Sequence, residues 1–130
     1  FANDGGYSEL VLVRDIPFTS LCEHHMLPFR GIAHVGYVPS ERIVGLSKLA
    51  RVVDWFARGL QVQERLTAQI ADHLERHLDP LGVGVALEAE HMCMSIRGVR
   101  AGGATTVTSA FRGDIARDPA LRVQFSSGAR

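Results

Sequence analysis

The chain has 130 residues, with 14 basic and 14 acidic side chains, 46% apolar residues and two cysteines. A folded domain of this length buries roughly two thirds of the surface its unfolded chain exposes, so a core needs neither disulfides nor a membrane. No apolar run approaches the roughly 18–20 residues of a membrane span, no signal-peptide pattern opens the chain, and zero net charge removes the bulk electrostatic case for nucleic-acid or membrane binding.

A cytoplasmic protein is the expectation, and any anionic ligand must be met by local charge. Arginine supplies thirteen of the fourteen basic residues, and Lys48 is the single lysine. The chain opens on Phe1 and enters a strand-like run almost at once, which reads as a trimmed N-terminus on one domain spanning 1–130. Residues 8–16 alternate apolar and polar and predict a strand that Pro17 ends. The CEHH segment at 22–25 then falls in an irregular stretch before Pro28. Residues 31–38 predict a second strand, antiparallel to the first.

From Gly45 to Leu78 the apolar period becomes helical, and two helices hinged near Gly59 are expected. Asp79-Pro80 stops the second. Residues 82–99 and 104–113 predict two further strands around a turn at Ala101-Gly102-Gly103. A short helix is expected from Asp118 to Phe125, followed by a frayed tail. The order is β-β-α-α-β-β, an α+β domain with an antiparallel sheet and paired helices on one face.

Three of the six histidines flank the only two thiols, in Cys22-Glu23-His24-His25 and His91-Met92-Cys93. Cys22 and His25 are three apart, so one turn can aim thiolate and imidazole at a single cation, with Cys93 completing the set. Zinc favours such mixed sulfur and nitrogen ligands, and three protein ligands leave a position for water, whose pKa the metal lowers to about 7. On a strand, residues 91 and 93 share a face, which would put His91 beside that water as general acid or base, with His24 lining the same pocket. A buried cysteine or a closed four-ligand structural zinc is the alternative. His73 and His77 could also hold metal, but His77 reads as packing within the stripe of Leu66, Ile70 and Leu74. His34 reads as an ordinary strand residue.

Five segments in register, CEHH at 22–25, GLSKLAR at 45–51, LQVQERLT at 60–67, EAEHMCMSIRGV at 88–99 and TVTSA at 106–110, resemble GTP cyclohydrolase I. The resemblance covers nearly the whole chain. It implies the tunnelling fold, a toroidal homodecamer with active sites between subunits, and conversion of GTP and water to formate and 7,8-dihydroneopterin triphosphate, the first step toward folate and other pterins. Zn2+ is the implied cofactor, with ligands matching Cys22, His25 and Cys93; catalytic histidines match His24 and His91. In the implied reaction, water activated at the metal attacks C8 of the purine and His91 protonates the imidazole nitrogen, while Ser47 matches a position near the ribose in later steps.

Glu64, with Gln63, matches the guanine anchor, and Lys48, Arg51 and Arg97 match triphosphate contacts. Arg58 and Arg65 read as surface or interface residues. Members of the family carry a helical segment ahead of the first strand that this sequence lacks, and Arg30-Gly31-Ile32 replaces a more usual Gly-Lys pattern, a change read as peripheral. Two other functions compete: a non-catalytic module that binds GTP and zinc, and a related tunnelling-fold enzyme acting on another purine or pterin.

Overall fold

The computed structural model describes residues 1–130. Strands β1 (Val11–Cys22), β2 (Pro28–Val38), β3 (Leu60–Gln61), β4 (Gly82–His91) and β5 (Thr106–Gly113) form one sheet in the order β3-β1-β2-β4-β5. Every pairing is antiparallel except β1 with β3, which is parallel. Helices α1 (Leu46–Ala57) and α2 (Gln63–Leu78) flank β3; α3 (Met92–Ser95), α4 (Asp114–Arg117) and α5 (Pro119–Gly128) follow β4 and β5.

Strand β1 runs through Pro17, six residues past its predicted end. Over most of its length β1 has a neighbour on one side only, since β3 reaches just Leu21 and Cys22, so a proline is tolerated as on any edge. A bulge between Val13 and Ile16 inserts one residue against β2, with Asp15 in the left-handed region at φ 59°. The insertion switches which parity faces the core: Val11 and Val13 before it, Ile16 and Phe18 after it. The imidazole of His34 is buried here, and its Nδ1 accepts the Asp15 backbone N–H at 3.1 Å.

The paired helices cover one face, as expected. Leu49, Val53 and Ala57 of α1 and Leu66, Ile70, Leu74 and Leu78 of α2 bury against Phe29, Val35, Val85 and Leu87 of the sheet. Gly59, at φ 79°, turns the chain between α1 and β3, and Asp79 in the left-handed region ends α2. The tail departs from expectation. Instead of fraying, α5 continues to Gly128 and lays Phe125 across the opposite face, where a Cβ on Gly84 would come within 2.9 Å of its ring. Ile115, Leu10 and Leu12 complete that second, smaller core.

Residues 82–99 form a strand only as far as His91. Beyond it β4 has no partner on either side, and the chain coils into the single helical turn of α3, closed by Ile96 N–H to Met92 O at 3.0 Å.

Candidate metal centre and active site

Cys22 ends β1, and residues 23–27 turn back into β2. Backbone bonds from Cys22 N–H to Leu27 O and from Met26 N–H to Cys22 O, both 2.8 Å, close the turn, with Met26 at φ 57°. His25 thereby folds back on Cys22, with Nδ1 3.6 Å from the sulfur. Cys93 arrives from α3, and the three ligand atoms lie within 4.8 Å of one another. Ligands at about 2.0–2.3 Å around a tetrahedral zinc are separated by roughly 3.6–3.8 Å, so the donor set and its spacing fit the ion after closing by about 1 Å or less. Burial and the adjacent Cys22 sulfur push the Cys93 thiol above its usual range while Arg97 draws it down; a bound cation would displace the proton outright.

Because Cys93 lies on a helical turn, the shared-face relation expected between residues 91 and 93 does not hold. His91 is placed by other contacts. Its ring stacks on buried Phe29 at 4.5 Å and 3°, and its Nε2 lies 2.6 Å from Gln63 Oε1. Gln63 is 1% exposed. Its Nε2 donates to Thr106 O and Thr108 Oγ1 at 3.0 Å and faces Leu87 O at 3.4 Å. Two of these are carbonyls that only accept, which fixes the amide orientation and turns Oε1 toward His91. His91 therefore carries its proton on Nε2 and leaves Nδ1 as the exchangeable atom. Burial lowers the His91 pKa, partly offset by the Glu64 charge, so the ring is neutral at pH 7. Gln63, expected at the base, has every polar atom occupied within the protein; what it touches is His91.

Glu64 and Arg97 are exposed near this centre, Glu64 on the first turn of α2 and making no salt bridge. His24 is exposed, its ring 6.4 Å from that of His25. Ser47, Lys48 and Arg51 are not brought to this centre. Lys48 and Arg51 line a groove with Trp55, Phe56, His73 and His77, against the far end of α2. From Glu64 to His77 the helix rises about 20 Å. His77 is exposed there instead of packed within the leucine stripe, and His73 is half-buried.

Two contributors, Thr67 and Arg65, are not among the expected site residues. Thr67 sits one turn from Gln63 on the buried stripe of α2, and a polar residue on an apolar stripe is the available signal. Arg65, expected at a surface or interface, pairs its guanidinium with Glu23 in the metal turn. No sequence signal marks that contact, which joins positions 42 apart.

The sequence pattern that defines GTP cyclohydrolase I matches residues 1–130. The chain belongs to the GTP cyclohydrolase I family. A relative named GTP cyclohydrolase 1, from Allorhizobium ampelinum, is 58% identical over 125 residues, covering 96% of this chain; the chain spans 62% of that relative's length. Among solved structures, an archaeosine synthase QueF-Like in the apo form superposes with a TM-score of 0.65 at 18% identity, over 80% of this chain and 93% of the other. Dihydroneopterin aldolase from E. coli superposes at 0.62 and 12% identity, over 81% and 99%. These two likenesses show the tunnelling fold. As in that fold, this GTP cyclohydrolase I family chain pairs an antiparallel sheet with two helices on one face, and the short parallel β3 lies at the sheet edge.

Proposed function

We propose that this chain is the catalytic portion of a zinc-dependent GTP cyclohydrolase I, converting GTP and water to formate and 7,8-dihydroneopterin triphosphate. The observation that carries the reading is the convergence of Cys22, His25 and Cys93 beside a His91 whose tautomer Gln63 fixes. Cys22, His25 and Cys93 would hold zinc, which supplies activation of water at neutral pH.

His91 Nδ1, bare in the neutral ring, takes up the proton released as water adds to the purine and passes it to the imidazole nitrogen, while its Nε2–H stays on Gln63. His24 has a free imidazole with which to line the pocket. Glu64 accepts from guanine N1–H and the 2-amino group; adenine lacks that donor pair and would leave the carboxylate unpaired, which favours GTP over ATP. Arg97 meets the triphosphate from the metal side.

Ser47, Lys48 and Arg51 serve the ribose and triphosphate from a second copy, because within one chain the groove that Lys48 and Arg51 line lies against His73 to Leu78, about 14–21 Å along α2 from Glu64. A homo-oligomer follows, the decamer being the form the resemblance implies. No helix is long and apolar enough to cross a membrane, which accords with cytoplasmic chemistry on a nucleotide.

The test is metal analysis of the full-length protein together with an assay for formate and, after oxidation, fluorescent pterin from GTP. Stoichiometric zinc with turnover supports the reading. Zinc with tight GTP binding and no formate overturns it in favour of a binding module.

A further inference from the structure

The metal-binding turn is attached to the rest of the domain by few bonds. His24, Met26 and Leu27 make no side-chain hydrogen bond, and His25 bonds only to Cys22, itself a ligand. The turn's remaining attachments both lead to β3 and the start of α2. Glu23 N–H donates to Gln61 O at 3.0 Å, extending the parallel pairing of Cys22 with Gln61. The Glu23 carboxylate accepts from Arg65 Nη2.

Arg65 is itself held. Its Nε donates to Gln61 Oε1 at 3.2 Å. Gln61 is 5% exposed, and its Nε2 donates to Phe56 O at 2.8 Å and Gln69 Oε1 at 2.7 Å. A chain of directed bonds therefore runs from both helices through Gln61 and Arg65 to the residue between two ligand-bearing positions.

We infer that the Glu23–Arg65 pair is a positioning device for the metal site, presenting His25 to Cys22 and Cys93 in ligand geometry. The inference rests on reading those three residues as metal ligands. An exposed ion pair contributes little to folding stability because water screens it and side-chain entropy opposes it. Its effect falls instead on a turn that must hold a ligand to within a fraction of an ångström; hydrogen-bond partners of the ligands themselves alter metal affinity by about 10–100-fold, and a pair acting through the turn backbone belongs at the lower end of that range. The same pairing occupies the one carboxylate in the turn, so Glu23 is kept from competing for the cation.

The experiment uses full-length protein freed of metal by a chelator. Co2+ is titrated with absorbance as the readout, and Zn2+ affinity is measured by competition, for the parent, Arg65→Ala, Arg65→Lys, Glu23→Gln and the double variant Glu23→Gln/Arg65→Ala. Urea midpoints of the metal-free forms are measured alongside. Each single change to Ala or Gln is expected to weaken metal binding about 10-fold. The double variant should be no weaker than either, Arg65→Lys should recover part of the loss, and the midpoints should stay together. Unchanged affinity in Arg65→Ala, additive losses, or losses that track the urea midpoint would each overturn the inference. If the parent takes up no Co2+ at the thiolates, the ligand assignment itself fails, a result distinct from parent-like binding in the variants.

Discussion

Replacing Gln63 with Met tests the connection between the α2 core and His91. Met conserves the volume of Gln, so no cavity term arises, and the change isolates the amide's bonds. Four groups lose a partner: Thr106 O, Thr108 Oγ1, the His91 Nε2–H and, at the longer distance of 3.4 Å, Leu87 O. Thr108 Oγ1 keeps Thr67 Oγ1 at 2.8 Å, so its loss is partial. At about 1 kcal/mol net for each bond, and more where a buried group is left unsatisfied, the expected destabilisation is about 2–4 kcal/mol. With a urea dependence of about 1–3 kcal/mol per molar, the unfolding midpoint followed by circular dichroism should fall by about 1–2 M. Nitrogen-15 NMR of His91 should show Nε2 protonated in the parent and a mixed tautomer in Gln63→Met, with turnover of GTP down by about 10–100-fold. Gln63→Glu should be worse, since an oxygen would then face Thr106 O. A variant within about 0.5 kcal/mol of the parent, with the imidazole pattern unchanged, would refute the claim that this amide holds the ring.

The other predictions concern the two ends of the site, the sheet and pH. Arg51→Ala and Cys93→Ala should each abolish pterin formation alone, and unfolding and refolding the two variants together should restore part of it; no recovery would mean that the site is not shared between copies. Gly31→Ala should cost about 3 kcal/mol or more, because its Cβ would lie 1.8 Å from Glu88 O and 2.7 Å from Ala89 Cα, both ladder backbone; a parent-like urea midpoint would refute this strand spacing. His73 is held below the usual histidine range by burial, then by His77 and Arg76. Its unfolded form therefore takes up a proton more readily, and its contribution to stability is present above about pH 6.5 and lost as the pH falls through the lower folded value. Urea midpoints at about pH 7.5 and about pH 5.5 should accordingly converge in His73→Gln relative to the parent.

Much of this was legible in the chain because period and punctuation agree. The helical spacing of Leu49, Val53, Leu66, Ile70 and Leu74, broken at Gly59, defines the helix pair, and the clustering of histidines with thiols points to the three residues that converge. What escaped has physical causes. Pro17 reads as a stop only if β1 has partners on both sides, which depends on sheet order and not on local sequence. The single turn of α3 is too short for any period to register, so the sequence pattern places Cys93 on a strand. Ser47, Lys48 and Arg51 lie close in sequence to Glu64, but the hairpin at Gly59 sets the start of α1 beside the end of α2, which carries them away from the metal end. The Arg30-Gly31-Ile32 departure, read as peripheral, includes a position where β2 and β4 leave no room for a Cβ, 1.8 Å from Glu88 O.

The first turn of α2 sends three consecutive residues to three destinations: Gln63 inward to His91, Glu64 outward to solvent, and Arg65 to Glu23. Successive residues on a helix are about 100° apart, so these three sweep roughly 200° around the axis. The site thus wraps the tip of the helix instead of lying along one flank. Inserting or deleting one residue between Arg65 and Leu66 would rotate all three assignments at once against the buried stripe of Leu66, Ile70 and Leu74, whereas Glu75, outward and about three turns later, can vary independently. Tolerance to change should therefore run along the helix axis, lowest at its N-terminal tip.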